Sequence, residues 1–207
     1  MPCGDLEAHR GPPDRDQLGI DRHLVATYDI GESGVGYLFA VHDSVLSSQF
    51  WQLAGAFGDA RARLFASSAA ILDAIERGEA LLGYNVLGSY ARARRDAGTP
   101  IGIVLPEDYT LVMSRVAVIP KGAGNPTIAR LFVDYVLSDR GQAVVAGSAG
   151  LYAIAPRVEG AATAARLMAE APGRLHPITL GPALLVFADR LRKARFLANW
   201  RLATQPP

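Results

Sequence analysis

Short apolar runs alternate with amphipathic stretches along this chain, and that alternation sets the expected fold. Residues 23–28 (HLVATY) read as a short strand, and residues 29–36 (DIGESGVG) as a turn-rich loop. Residues 37–45 have helical composition, and 50–57 read as a second helix stopped by Gly58. Residues 63–66 (RLFA) form another short strand. Ser67 or Ser68 then caps a helix over 69–77 whose Ile71, Leu72 and Ile75 share a face, and Gly78 ends it. Residues 80–84 read as a buried strand, followed by a helix over about 87–95. Residues 101–105 read as a strand closed by Pro106, and 110–119 as a long, Val- and Ile-rich strand that stops at Pro120.

Strand and helix in alternation are the signature of an α/β sheet with helices on its faces. Beyond it the pattern turns helical. Asn125 caps and Pro126 opens a helix to about Leu137, and Ser138 caps a shorter one. Further helices are expected over 161–169 and, as one long element, over 182–202. Residues 1–23 read as a loose entry segment whose start, 1–13, is polar and rich in Gly and Pro. It has no apolar core of the kind a signal peptide carries.

Composition narrows the class. Half of the 207 residues are hydrophobic, enough for a sizeable core, and the net charge is +1. The basic residues are dispersed. Arg92, Arg94 and Arg95 form a small cluster without the interleaved aromatics of a nucleic-acid reader, so no nucleic-acid partner is expected. Cys3 is the single cysteine, which excludes an internal disulfide. No apolar run approaches the roughly 20 residues that span a bilayer.

Enzyme signatures are missing from the sequence. It contains no Walker loop and no GxGxxG. Residues 31–35 (GESGV) fail the nucleophile-elbow pattern at the last position, and 146–150 (AGSAG) follow a helix rather than a buried strand. His9, His23, His42 and His176 lack metal-ligand spacing. The expectation is a protein with no catalytic residues, no metal and no cofactor.

Small polar residues instead collect where strands hand over to helices. Ser33 and Gly34 follow the first strand, Ser67 and Ser68 the second, and Asn85 and Ser89 the third. In open α/β sheets ligands sit at the carboxyl ends of strands, where helix N-termini offer free N–H groups to an anion. Each junction alone is ordinary capping and turn chemistry. Three in succession point to a cleft for a small, anionic ligand.

Residues 29–37 (DIGESGVGY), 63–90 (RLFASSAAILDAIERGEALLGYNVLGSY) and 104–142 (VLPEDYTLVMSRVAVIPKGAGNPTIARLFVDYVLSDRGQ) resemble the extracellular solute-binding proteins of ABC transporters. The nearest branch is the iron(III)-type and related class II periplasmic binding proteins. The resemblance implies a periplasmic-binding-protein-like α/β fold of two lobes with ligand between them. Residues 24–110 would be lobe two and 111–207 the returning, mainly helical part of lobe one, the first half of that lobe having no counterpart here. It also implies a periplasmic location, an ABC permease partner, and a place for Tyr109 beside Ser33, Gly34, Ser67, Ser68, Asn85 and Ser89 in the site. Iron-binding members carry adjacent tyrosines after the strand matching residues 81–84. Residues 84–90 (YNVLGSY) lack that pair, so an anion is expected rather than ferric iron, although Tyr84, Tyr90 and Tyr109 are available as donors. A cytosolic ligand-sensing effector domain of a regulator, of the LysR kind, is the alternative with the same fold. Uncovered apolar positions in residues 110–119 (Val112, Val116, Val118) and 126–137 (Leu131, Phe132, Val136) predict a homodimer. The long C-terminal helix folding back over them is the alternative.

Overall fold

The computed structural model describes residues 24–179 and 181–205, so the opening segment and the first expected strand residue lie outside the described residues. Strand β1 (Val25–Tyr28) is the centre of a parallel sheet, with Ala26, Thr27 and Tyr28 all buried. It leads through a tight turn into α1 (Gly34–Leu46) and then α2 (Phe50–Asp59). Strand β2 (Arg63–Phe65) pairs with one side of β1, and α3 (Ser68–Glu76) follows it. Strand β3 (Leu82–Gly83) pairs with the other side and leads to α4 (Gly88–Asp96), giving the order β2-β1-β3. Two close approaches require glycine. A Cβ on Gly36 would stand 2.3 Å from Tyr28 Cβ, so α1 lies directly on β1. A Cβ on Gly58 would stand 2.8 Å from the Ala203 carbonyl oxygen, where the end of the chain crosses α2.

The second body begins with β4 (Thr110–Val112). It continues through α5 (Pro126–Leu137), α6 (Asp139–Gly147) and α7 (Ala164–Glu170) to β5 (Leu175–Pro177), which pairs in parallel with β4. Asn125, Ser138 and Thr163 cap α5, α6 and α7 by accepting from the N–H groups of Ile128, Gly141 and Arg166. The chain then returns. Helices α8 (Ala183–Ala188) and α9 (Arg190–Ala203) are separated at Asp189, whose extended backbone ends one helix while its side chain caps the next. Phe196 and Trp200 of α9 stack on Phe50 at 6.0 Å, and Trp200 meets Phe57 edge-on. The first body's core therefore joins Ala26, Tyr28, Phe39 and Ile71 to residues from the far end of the chain.

Several expectations need correction. The strand over 80–84 shrinks to two residues at a sheet edge, with Leu81 72% exposed, because no further strand among the described residues covers its outer side. Residues 101–105 alternate in burial as a strand would but join neither sheet. The strand over 110–119 ends at Val112, because β5 is three residues long and residues 114–118 find no partner strand among the described residues. The helix over 182–202 is two helices, broken at Asp189. It packs on α2 rather than over α5, whose Leu131 and Phe132 remain exposed.

Leu111, Met113 and Ile178 pack against the first body's core, and polar side chains add to that junction. Arg92 of α4 is buried and reaches across, donating to the Ala161 carbonyl at 2.5 Å and the Tyr152 hydroxyl at 2.8 Å. Its guanidinium also lies 4.7 Å from the Tyr152 ring centre. Arg115 donates to the Tyr90 hydroxyl at 3.3 Å, and Tyr109 reaches back to Asp43.

Candidate functional site

Because β1, β2 and β3 run parallel, their carboxyl ends share one edge, and α1, α3 and α4 all begin there. Ser33 caps α1, accepting from Gly36 N–H at 3.1 Å, and is itself buried. Gly34 opens α1 on the exposed side with no atom near its missing Cβ, so the steric requirement sits two residues on, at Gly36. Ser67 caps α3 through Ala70 N–H at 3.2 Å and faces solvent. Ser68 does something different. It is buried, and its hydroxyl bonds both to the Tyr28 hydroxyl and to Leu87 N–H, stitching β1 to the turn before α4. Burial, acting against that bond, raises the Tyr28 pKa, with Tyr90 close enough to add to the effect. Ser89 lies in the first turn of α4, half-buried.

Asn85 and Tyr109 are brought together by a residue that sequence reading passed over. Asp43 sits in the last turns of α1, 3% exposed. One of its carboxylate oxygens accepts from Asn85 Nδ2 at 2.6 Å and from the Tyr84 hydroxyl at 3.1 Å, and the other from the Tyr109 hydroxyl at 3.0 Å. Burial raises the Asp43 pKa, and the three donors oppose that rise. The same carboxylate joins burial in pushing the Tyr84 and Tyr109 phenols far above their ordinary values. Asn85 adopts φ of +61°, a left-handed conformation that asparagine tolerates better than most residues. The signal that could have found Asp43 is an acidic residue within an otherwise apolar helical stretch (FAVHDSVL).

A cavity of about 10 Å³ lies among Thr27, Tyr28, Asp43, Tyr84, Asn85 and Trp200, space for about one water. A larger, open concavity of about 420 Å³ lies at the opposite ends of α3 and α4, beside Glu76, Thr99 and Ile101. It has helix C-termini and a carboxylate already engaged by Arg94 at 2.7 Å, so it is a poor place for an anion. Among the described residues no three His, Cys, Asp or Glu side chains gather as a metal ion would need, and no helix is long and apolar enough to cross a membrane.

The junctions bring hydroxyls and helix N-termini to one edge of the sheet, and the chain's relatives bear on that chemistry. Residues 33–149, more than half of the chain, match the family of bacterial extracellular solute-binding proteins. The chain belongs to that family. Its periplasmic-binding-protein-like α/β fold is shared with the substrate binding protein of the ABC transporter from Agrobacterium tumefaciens. The TM-score is 0.81 and the identity 36%, over 92% of this chain and 56% of that one. An uncharacterized protein of Haemophilus influenzae is 42% identical over 66 residues, covering 32% of this chain and 19% of that protein. The chain therefore spans just over half the length of the solved relative. The matched region contains Ser33, Gly34, Ser67, Ser68, Asn85, Ser89 and Tyr109.

Proposed function

We propose that this chain is the solute-binding component of an ABC-type uptake system, working in the periplasm beside a permease. It would hold a small anionic ligand at the carboxyl edge of the β2-β1-β3 sheet, between two lobes. The observation that carries this reading is the convergence of three helix N-termini on one edge of a parallel sheet. Backbone N–H groups there favour negative charge without a basic side chain. In this reading Ser67 and Ser89 meet the ligand by their hydroxyls and Gly34 by its exposed backbone. Ser33, Ser68, Asn85 and Tyr109 already spend hydrogen bonds on shaping the edge. The reading is one of binding without catalysis. Residues 24–110 would form one lobe and the chain from 111 the other, with α8 and α9 crossing back, as the packing of Trp200 on Phe50 and Phe57 supports.

The iron(III)-type branch carries over in fold more readily than in ligand. Ferric iron calls for hard oxygen donors such as phenolates, and Tyr84 and Tyr109 are instead protonated donors to Asp43.

Native mass spectrometry of freshly purified protein is the test. A retained small anion, lost in Ser67→Ala/Ser89→Ala, is expected. It should be accompanied by stabilisation with oxyanions (phosphate, sulfate, molybdate, small carboxylates) and not with amines or neutral sugars. Stabilisation by cationic or neutral solutes alone would overturn the anion reading. A coloured, stoichiometric complex with ferric citrate that Tyr84→Phe or Tyr109→Phe abolishes would restore iron.

A further inference from the structure

Asp43 stands out because nothing local explains it. Aspartate is a poor helix former, and α1 is otherwise apolar on its inner side. A buried carboxylate is costly unless its oxygens are bonded, and here all three donors are neutral and come from outside α1. Tyr84 and Asn85 belong to the turn between β3 and α4, which carries the proposed binding edge. Tyr109 belongs to the segment connecting α4 to β4, where the chain leaves the first body for the second. The turn and the connecting segment are far apart in sequence, and the carboxylate brings them together. Tyr84 is also wedged against Phe57, ring centres 5.2 Å apart, so the turn has little freedom to shift without breaking these bonds.

We propose that Asp43 is a positioning residue that locks the β3–α4 turn to the connecting segment, so that Asn85 and Tyr109 move together. The proposal rests on the carboxyl edge being the binding edge. A change at that edge is then transmitted to the connection between the bodies through one carboxylate. Coupling of this kind is reciprocal: loosening either partner loosens the other.

Hydrogen–deuterium exchange of the full chain, without any ligand, tests this independently of what the protein binds. Tyr109→Phe removes one hydroxyl. It should raise exchange about tenfold or more at residues 108–112 and also at 84–88, as expected for loss of a hydrogen bond to a charged group. Asn85→Gly keeps the left-handed backbone and should loosen 108–112 in return. With Asp43→Leu in place, adding Tyr109→Phe should change nothing further at 84–88. If the leucine variant does not fold, the two single variants decide alone.

A pH profile adds a readout that simple packing would not move. The ionisable groups around the carboxylate are His42 on α1, Tyr84 on the turn, and Tyr109 with neighbouring Asp108 on the connecting segment. Burial holds the Asp43 pKa up in the closed arrangement, so protonation favours that arrangement. Protection of both segments should therefore be greatest in acid and fall together as pH rises through the Asp43 titration. Asp43→Asn should abolish this step. Loosening by Tyr109→Phe confined to 108–112 would overturn the proposal, as would a pH step that survives in Asp43→Asn.

Discussion

Replacing Arg92 with alanine should separate the unfolding of the two bodies. The side chain is buried, and its two terminal nitrogens are committed to the Ala161 carbonyl and the Tyr152 hydroxyl. Hydrogen bonds from a charged donor are worth about 1.5–3 kcal/mol each. The guanidinium over the Tyr152 ring adds about 1 kcal/mol. The Glu170 carboxylate, 3.8 Å away and 38% exposed, adds less than about 1 kcal/mol. Against these stands the desolvation of the guanidinium, several kcal/mol, raised here by an Nε that is buried without a hydrogen-bond partner among the described residues. The net loss comes to about 3 kcal/mol, concentrated at the junction. With a urea dependence of about 1.5 kcal/mol/M, the second body should unfold about 2 M earlier. The two tryptophans, Trp51 and Trp200, lie on α2 and α9, so their fluorescence follows the first body, whereas far-UV circular dichroism follows both. The two curves should coincide in the parent protein. In Arg92→Ala, circular dichroism should fall first while the fluorescence midpoint moves much less. Curves that stay superimposed and shift together would show the bodies unfolding as one unit, and the reasoning would be wrong.

Three further outcomes follow from particular contacts. Gly36→Ala forces a methyl against Tyr28 and should cost about 1–3 kcal/mol in chemical denaturation, whereas Gly34→Ala, with open space around it, should be silent within about 0.5 kcal/mol. Ser68→Ala strands the Tyr28 hydroxyl and Leu87 N–H and should cost about 1–3 kcal/mol, whereas Ser67→Ala loses a solvent-facing cap and about 1 kcal/mol; equal costs would contradict the division of labour between the two serines. The exposed Ile128, Leu131, Phe132 and Tyr135 of α5 lead us to expect a two-fold dimer through that face. Sedimentation across a dilution series should show it dissociating, and Phe132→Glu should abolish it; a monomer at every concentration would count against it.

The helices were legible because their signals are local. Ser67, Asn125 and Ser138 occupy the caps that the sequence assigns to them, and a helix closes its own hydrogen bonds within a few residues. The strands were less so, since a strand exists only where another lies beside it. Residues 101–105 and 114–118 have strand-like composition and no ladder among the described residues, while Leu175–Pro177, with a histidine and a proline, becomes a strand because β4 is there to receive it. The candidate edge was legible through the small residues after each strand. Asp43 was not, because its partners at 84, 85 and 109 become neighbours only after folding. Likewise the break at Asp189 hides within residues 183–202, which contain no Gly or Pro and read as one continuous helix.

The return of the final helix to the first body has a consequence for synthesis. Phe50 and Phe57 leave the ribosome long before the rings that stack on them, Phe196 and Trp200. Everything between them, including the whole β4–β5 body, must be threaded out as an insertion before that aromatic cluster can assemble. The entropic cost of closing so long a loop grows only slowly with its length, but contacts so remote in sequence form late and slow the search for the native state. Until α9 emerges, the nascent chain presents an uncovered aromatic surface on α2. A ribosome stalled after α4 has emerged but before residue 196 is made would hold a sheet with its helices in place and one wall of its core still unmade.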